Sequence, residues 1–163
     1  MSLYSRRSLL GLIAASLAGC GFAPAFGPGG PVQGLQGSIR FADPDDKNAF
    51  DLVERLEERL GRTSLVHYDL DYSITTKPVG VGITPEGATT RYNLTGSADW
   101  SLTERASGSR VTGGKVENFT SYSATGSTVA LLAAEEDAAL RLMRILADQI
   151  VTRIIATSAA WSP

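Results

Sequence analysis

Few side chains in this sequence are suited to chemistry, and they lie far apart along the chain. Cys20 is the only cysteine and His67 the only histidine among 163 residues. A lone cysteine after an apolar run is either a site of acylation or an ordinary buried thiol, and a transition metal needs more ligands of these types than two. Lys77 and Arg91 flank one predicted hairpin, where they are either phosphate contacts or ordinary charges at strand ends. We therefore predict no catalytic residue, no cofactor and no metal site.

The segment before Cys20 has the composition of an export signal. Arg6 and Arg7 lead into an apolar run, Leu9 to Ala18, which is too short to cross a bilayer. The sequence Leu17-Ala18-Gly19-Cys20 resembles the bacterial lipoprotein signal. This resemblance implies that the thiol takes a diacylglycerol, that the chain is cut before Cys20, and that the new amino group is acylated. The paired arginines leave the export route, Sec or twin-arginine, open.

The remaining chain divides into a tether and one domain. Residues 1–19 are the expected signal peptide, 20–34 the lipidated cysteine and a flexible tether rich in glycine and proline, and 35–163 a single α+β domain. Removing residues 1–19 takes two arginines from the 15 basic residues and none of the 17 acidic ones, so the net charge falls from −2 to −4. A net acidic domain is not typical of a nucleic-acid binder. Membrane attachment is expected through the lipid alone.

Two helices are predicted from apolar residues at helical spacing. The first runs from about Asp46 to Leu60, with a buried stripe and a solvated opposite face. The second runs from about Thr128 to Ala156, and its acidic residues near the start complement the helix dipole. The stripe of the first helix is Phe50, Val53, Leu56 and Leu60, against Asp51, Arg55, Glu58 and Arg59. The stripe of the second is Leu132, Ala139, Met143, Leu146, Ile150 and Ile154, and its early acids are Glu135, Glu136 and Asp137.

The strands are predicted from residues that alternate between apolar and polar. Leu35–Phe41 is a short first strand, Leu65–Ile74 a second, and the alternation from Tyr92 to Leu102 marks a third. Gly87 suits the left-handed position of a three-residue hairpin loop, which sets Thr84 opposite Ala88. Counting back from this turn pairs Ile74 with Ala98, Tyr72 with Trp100, and Leu70 with Leu102, so apolar residues meet on one face.

A fourth strand, Arg110–Tyr122, completes the sheet. Val111 and Val116 differ in parity, and a β-bulge at Gly113-Gly114 would restore the face. The element order is then β-α-β-β-β-α, an α+β two-layer sandwich with two helices packed on one face of a four-stranded sheet. The pattern leaves open which sheet edge receives the first strand.

Several segments resemble the LptE family of lipopolysaccharide-assembly lipoproteins. They are 90–96 (TRYNLTG), 120–124 (TSYSA), 134–138 (AEEDA), 141–142 (RL) and 147–150 (ADQI). The resemblance implies a non-enzymatic outer-membrane protein that faces the periplasm. It also implies a role as plug and assembly partner of the LptD β-barrel in lipopolysaccharide export. Lys77 and Arg91 are our candidate contacts for lipopolysaccharide phosphates.

Two other functional classes are compatible with an anchored domain of this size. A lipoprotein carrier would hold a lipid in a cavity between the helices and the sheet, and the filled apolar stripes argue against such a cavity. A periplasmic enzyme would need polar residues that converge in a cleft, and the sequence offers no such set.

Overall fold

The computed structural model describes residues 34–161, together with Gly27, Gly30 and Val32. Cys20, the signal peptide and most of the predicted tether lie outside the described residues. Six elements follow one another: β1 (Ile39–Phe41), α1 (Lys47–Leu60), β2 (Tyr68–Ile83), β3 (Thr89–Glu104), β4 (Arg110–Ser123) and α2 (Thr128–Ser158). The predicted order β-α-β-β-β-α is confirmed.

The four strands form one mixed sheet in the order β1-β2-β3-β4. β1 lies parallel to β2, with Ile39 opposite Tyr68, whereas β2, β3 and β4 form an antiparallel meander. The first strand therefore joins the β2 edge, which the sequence pattern had left open. Both helices pack on the same face of the sheet and bury one core between the two layers, as predicted.

The central hairpin has the predicted register. Ile74 lies opposite Ala98, and the same register carries Tyr72 opposite Trp100. At the turn, the Thr84 amide donates to the Ala88 carbonyl at 2.9 Å, and Gly87 has a φ of 86°. The second strand is longer than predicted, because it continues past Ile74 to Ile83 and shifts register near its end.

The buried face of α1 is rotated from the predicted one. Phe50 is 57% exposed, whereas Asp51, assigned to the solvated face, is only 5% exposed. The Lys47 ammonium lies 2.8 Å from the Asp51 carboxylate and compensates its burial. Ala49 is the small residue that marks the true face, which Leu52, Leu56 and Leu60 continue toward the core. The helix begins as predicted, since Asp46 accepts a hydrogen bond from the Ala49 amide at 2.7 Å.

The first turns of the last helix are less buried than predicted. Its first fully buried residue is Ala138, so Leu132, predicted to lie in the buried stripe, is 56% exposed. The acids predicted to complement the helix dipole lie more than one turn inside the helix, and its first turn carries no acid. Further along, α2 approaches the sheet closely at Gly96, where a Cβ would lie 2.8 Å from the Leu142 side chain.

Two further predictions need correction. The bulge in β4 falls at Val111, because Gly113 and Gly114 stay in register with Ser101 and Trp100 while the pairing shifts between Leu102 and Thr103.

Val32, assigned to the flexible tether, is 1% exposed and belongs to the core. Its carbonyl accepts a hydrogen bond from the Leu35 amide at 3.0 Å. Core packing therefore begins before residue 35.

Candidate interaction surface: the open face of the sheet

One face of the sheet packs on the helices, and the other is uncovered in the described part of the chain. We call this second surface the open face. Between the register shifts it is formed by the odd-numbered residues of β2, β3 and β4, since successive side chains of a strand point to opposite faces. Beyond the β4 bulge it includes Arg110, which lies opposite Thr103. Its central row on β3 is Arg91, Asn93, Thr95, Ser97, Asp99 and Ser101. The polar row predicted from the sequence is thus the surface left for a partner.

Short hydrogen bonds tie the open face together. The Thr95 hydroxyl donates to the Lys77 carbonyl at 2.9 Å, which links β3 to β2. The Ser121 hydroxyl donates to the Asn93 side-chain carbonyl at 2.7 Å, which links β3 to β4. These bonds hold small polar side chains flat against the strands and leave a wet, shallow surface.

The two candidate phosphate contacts lie on this face but do not converge. Lys77 is opposite Thr95, and Arg91 is opposite Gly82 and Ser123. Four residues along β3 separate the two positions, which corresponds to about 13 Å at 3.3–3.4 Å per residue. Neither side chain forms an ion pair with another described residue. At this backbone separation each side chain can meet its own anionic group.

Exposed apolar residues gather at the end of the sheet that carries the β2–β3 turn. We call this end, residues 79–91 and 124–132, the distal end. The Ala124 amide donates to the Thr90 carbonyl at 2.9 Å, which brings the start of α2 beside the hairpin. Ile83 of the hairpin is 68% exposed and Val129 of α2 is 77% exposed. Sequence reasoning missed this cluster, although the alternation of glycine with Val79, Val81 and Ile83 removes every polar side chain from that stretch of β2.

A cavity of about 750 Å³ lies at the opposite end of the sheet, where the described chain begins. Gly34, His67 and Arg105 line it, and an edge-to-face pair of Tyr68 and Trp161, with ring centroids 5.2 Å apart, forms one wall. We call this the anchor end, because Gly34, which follows the predicted tether, lines the cavity here. The His67 amide donates to the Ser38 carbonyl at 2.8 Å, so the residue links β2 to the segment before β1.

The described residues offer no arrangement typical of a reactive centre. Among them, no three His, Cys, Asp or Glu side chains lie close enough together to hold a metal ion. Burial raises the pKa of Tyr72 to about 12, and the carboxylates of Asp45, Asp46 and Asp43 add to this effect. The Tyr72 hydroxyl donates to the Ala42 carbonyl at 3.1 Å, which is a structural use of the group. The open face can bind a partner surface through its shape and polarity.

A family model described as lipopolysaccharide-assembly, LptE, matches residues 37–154. The match runs from the turn before β1 into the last helical turns of α2 and covers more than half of the 163 residues. The chain belongs to the LptE family. A comparison with curated proteins finds no match.

Solved structures of bacterial lipoproteins share the fold of this LptE-family chain. A putative lipoprotein from Caulobacter crescentus is 23% identical with a TM-score of 0.68, and the match covers 78% of this chain and 96% of that one. The rare lipoprotein B from Shewanella oneidensis is 15% identical with a TM-score of 0.60, covering 77% and 98%. A minor lipoprotein from Acinetobacter baumannii is 18% identical with a TM-score of 0.52, covering 72% and 90%.

The described residues contain no helix suited to crossing a membrane. Neither α1 nor α2 combines the length and the apolar character that crossing a bilayer requires. The LptE match includes the open face, the β2–β3 hairpin and most of α2, so the surfaces described above belong to the part of the chain that the family shares.

Proposed function

We propose that this chain is an outer-membrane lipoprotein, acylated at Cys20 and facing the periplasm, that supports assembly of an LptD β-barrel and acts as its plug in lipopolysaccharide export. Membership of the lipopolysaccharide-assembly family supports the pathway. The observation that carries the plug role is the open face, a broad polar surface that the described helices leave uncovered. Such a surface suits the water-filled interior of a barrel. The role is non-enzymatic, because plugging and assembly require binding alone.

The dimensions of the sheet support this proposal. β2 and β3 each contain 16 residues, which corresponds to roughly 50 Å at 3.3–3.4 Å per residue. The apolar band of an outer-membrane barrel is about 25 Å tall. With the anchor end held near the periplasmic leaflet, a hairpin of this length would extend through the lumen and carry the distal end toward the opposite side.

The distal end and the neighbouring Lys77 together have the two chemical features that lipopolysaccharide requires of a contact. Lys77 and Arg91 are cations without described ion-pair partners, and exposed valine and isoleucine side chains lie next to them on the same hairpin. Phosphates would meet the cations while acyl chains would meet the apolar side chains. In this proposal Lys77 and Arg91 bind different phosphate groups, because their positions are about 13 Å apart.

The alternative of a lipid carrier requires an empty space between the helices and the sheet. In the described structure that space is filled by a continuous core, in which Leu70, Leu102, Leu142 and Leu146 are fully buried. The 750 Å³ cavity lies at the anchor end and is lined partly by charged residues. These observations favour the plug over the carrier.

Site-specific photocrosslinking in whole membranes tests the plug. Photoreactive residues at Thr95 and Asp99 report on the open face, and one at Glu86 reports on the hairpin turn. The matched control is Arg144, which is exposed on α2. We expect all three test sites to capture the LptD barrel. Failure of all three, with the protein present at normal levels, would contradict the proposal.

A further inference from the structure

The outer edge of β4 is an unpaired strand edge suited to a partner. In the described part of the chain no strand lies beyond β4, which runs for 14 residues without a proline. The other free edge belongs to β2, because β1 covers only Tyr68–Leu70. The Leu70 carbonyl points toward that edge, where it accepts from the Ala42 amide at 2.9 Å. Pro78 has the same parity and removes a donor there, so the β2 edge is protected. On β4 the Arg141 side chain of α2 donates to the outward Ser121 carbonyl at 3.4 Å, which covers the distal part of that edge.

The backbone groups that face outward from β4 can be assigned from the ladder. The Ala124 amide donates to the Thr90 carbonyl, so even-numbered residues of the β4 strand point their N–H and C=O groups toward β3. Odd-numbered residues therefore point theirs outward. The Phe119 amide agrees with this assignment, since it is satisfied by its own neighbour, the Asn118 side chain, at 2.8 Å. Outward-facing backbone is thus available at Gly113, Lys115, Glu117 and Phe119.

The side chains at these positions complement a second copy in one antiparallel register. A two-fold axis through Lys115 would place two lysines opposite each other, and an axis through Glu117 would place two glutamates opposite each other. An axis through Val116 sets Lys115 opposite Glu117 of the second copy, and the reverse, so that two ion pairs form. In the single chain Lys115 and Glu117 already lie 2.5 Å apart on the open face. Opposite charges across a strand pair stabilise it and like charges destabilise it.

The same register gives Phe119 a partner. Phe119 is 55% exposed on the open face, and the axis through Val116 sets it opposite Gly113 of the second copy. The Arg110 guanidinium lies over Gly113, where it occupies the space that a side chain at residue 113 would need. An aromatic ring placed on this guanidinium forms a cation–π contact. On pairing, the Phe119 amide gives up its bond to the Asn118 side chain and donates to the Gly113 carbonyl of the second copy.

We propose that the β4 edge pairs with the β4 edge of a second copy of this chain, with Val116 on the two-fold axis. The pair is an isologous dimer, because each copy contributes the same surface. The proposal of this dimer does not rest on the proposed function. A copy inside a barrel lumen has no space for a second copy, so the pair is a state of chains that hold no barrel partner.

Photocrosslinking and charge reversal test the pair on the full protein in membranes. The aromatic p-benzoylphenylalanine replaces Phe119, and we expect a light-dependent product of two copies that joins residue 119 to the segment 110–115. Lys115→Glu and Glu117→Lys, each alone, place like charges across the axis and should lower this product at least tenfold. Co-expressing the two variants should restore it, because each lysine pair then faces a glutamate pair.

The co-expression arm separates pairing between copies from the ion pair within one chain. Each single variant carries like charges within its own chain, so recovery in the mixture arises only from contact between two chains. Glu117→Pro is a second variant, since it removes one outward N–H without breaking a bond to β3, and it should also abolish the product. Capture of other proteins only, or no recovery in the mixture, would overturn the dimer. If residue 119 captured a barrel and no second copy, the dimer would be overturned and the proposed function would be supported.

Discussion

Substitution of Asp148 by alanine should destabilise the domain measurably, because this side chain joins the two helices. Its carboxylate accepts from Arg55 Nε and Nη2, each at 3.1 Å, in a forked arrangement. It also accepts from Arg59 Nη1 at 3.1 Å. Both arginines belong to α1, whereas Asp148 belongs to α2. This contact was not predicted, since the sequence pattern assigned Arg55 and Arg59 to a solvated face.

The magnitude follows from the number of bonds and their exposure. The side chains are 28% exposed at Arg55 and 38% exposed at Arg59 and Asp148, so the screening is less than for a fully exposed pair. Isolated exposed ion pairs contribute about 0.2–1 kcal/mol each, and forked arginine–carboxylate pairs are the stronger kind. Arg55 keeps its bond to Glu58 at 2.8 Å in the variant. Arg59 loses its bond to Asp148, but its side chain is 38% exposed and can be hydrated. We expect a loss of about 1–2 kcal/mol in the free energy of unfolding.

Urea unfolding followed by circular dichroism measures this loss, with a matched control on the same helix. Asp137 pairs only with Arg141, at 2.9 Å, and both side chains are largely exposed. Asp137→Ala should therefore change the free energy of unfolding by less than about 0.5 kcal/mol. Equal effects of Asp148→Ala and Asp137→Ala would refute the reasoning, because they would mean that the contact between helices contributes no more than a surface pair.

Three further outcomes are expected. Trp100→Ala should cost about 3–5 kcal/mol in urea melts, because the ring is buried, whereas Ser101→Ala on the open face should stay within about 0.5 kcal/mol; similar costs would contradict the assigned faces. The Tyr72 phenol is more acidic in the unfolded chain than in the fold, where its pKa is about 12, so its stabilisation is complete below about pH 10 and is lost as the pH rises toward 12. Unfolding of Tyr72→Phe should therefore depend less on pH in that range than unfolding of the parent protein, and an unchanged dependence would exclude this cause. Mass spectrometry of the mature N-terminal peptide should find Cys20 acylated, and an unmodified thiol or cleavage elsewhere would refute the lipoprotein signal.

Local patterns were sufficient to predict the hairpin, because its turn and its alternation constrain the same register. The turn needs a residue in the left-handed conformation, which Gly87 supplies. A shift of one residue would move Trp100 to the polar face. These two constraints agree, and the structure confirms the pairing of Tyr72 with Trp100. The element order could likewise be predicted, since each helix and strand carries its own period.

The errors arose where local patterns do not report what lies next to an element. Phe50 looked buried because it is large and apolar, but Ala49 occupies the face that meets the core. Leu132 has the right spacing for the stripe, yet it is 56% exposed, because full burial of α2 begins only at Ala138 and the helix itself does not record where its burial starts. The bulge was assigned to glycines, although it is Val111 that lacks a partner in β3.

The candidate surface was only partly predictable for the same reason. Alternation identified the polar row around Thr95 and Asp99, but the apolar distal end depends on the bond from the Ala124 amide to the Thr90 carbonyl, which brings the start of α2 beside the hairpin. Lys77 and Arg91 flank the predicted hairpin, and the observed register separates their positions by four residues along β3. Along a strand, the spacing of residues indicates the face on which a side chain lies more reliably than it indicates the distance between two side chains.

Depletion of this protein, with complementation by the normal chain and by an open-face variant, tests the proposed role in lipopolysaccharide export most directly. Surface lipopolysaccharide and the amount of correctly assembled LptD barrel are the quantities to measure. We expect both to fall on depletion and to recover with the normal chain, but not with a variant that carries arginine at Thr95 and Ser97 of the open face. The variant should fold normally, because neither side chain points toward the core. Unchanged lipopolysaccharide and barrel levels after depletion would contradict the proposed role.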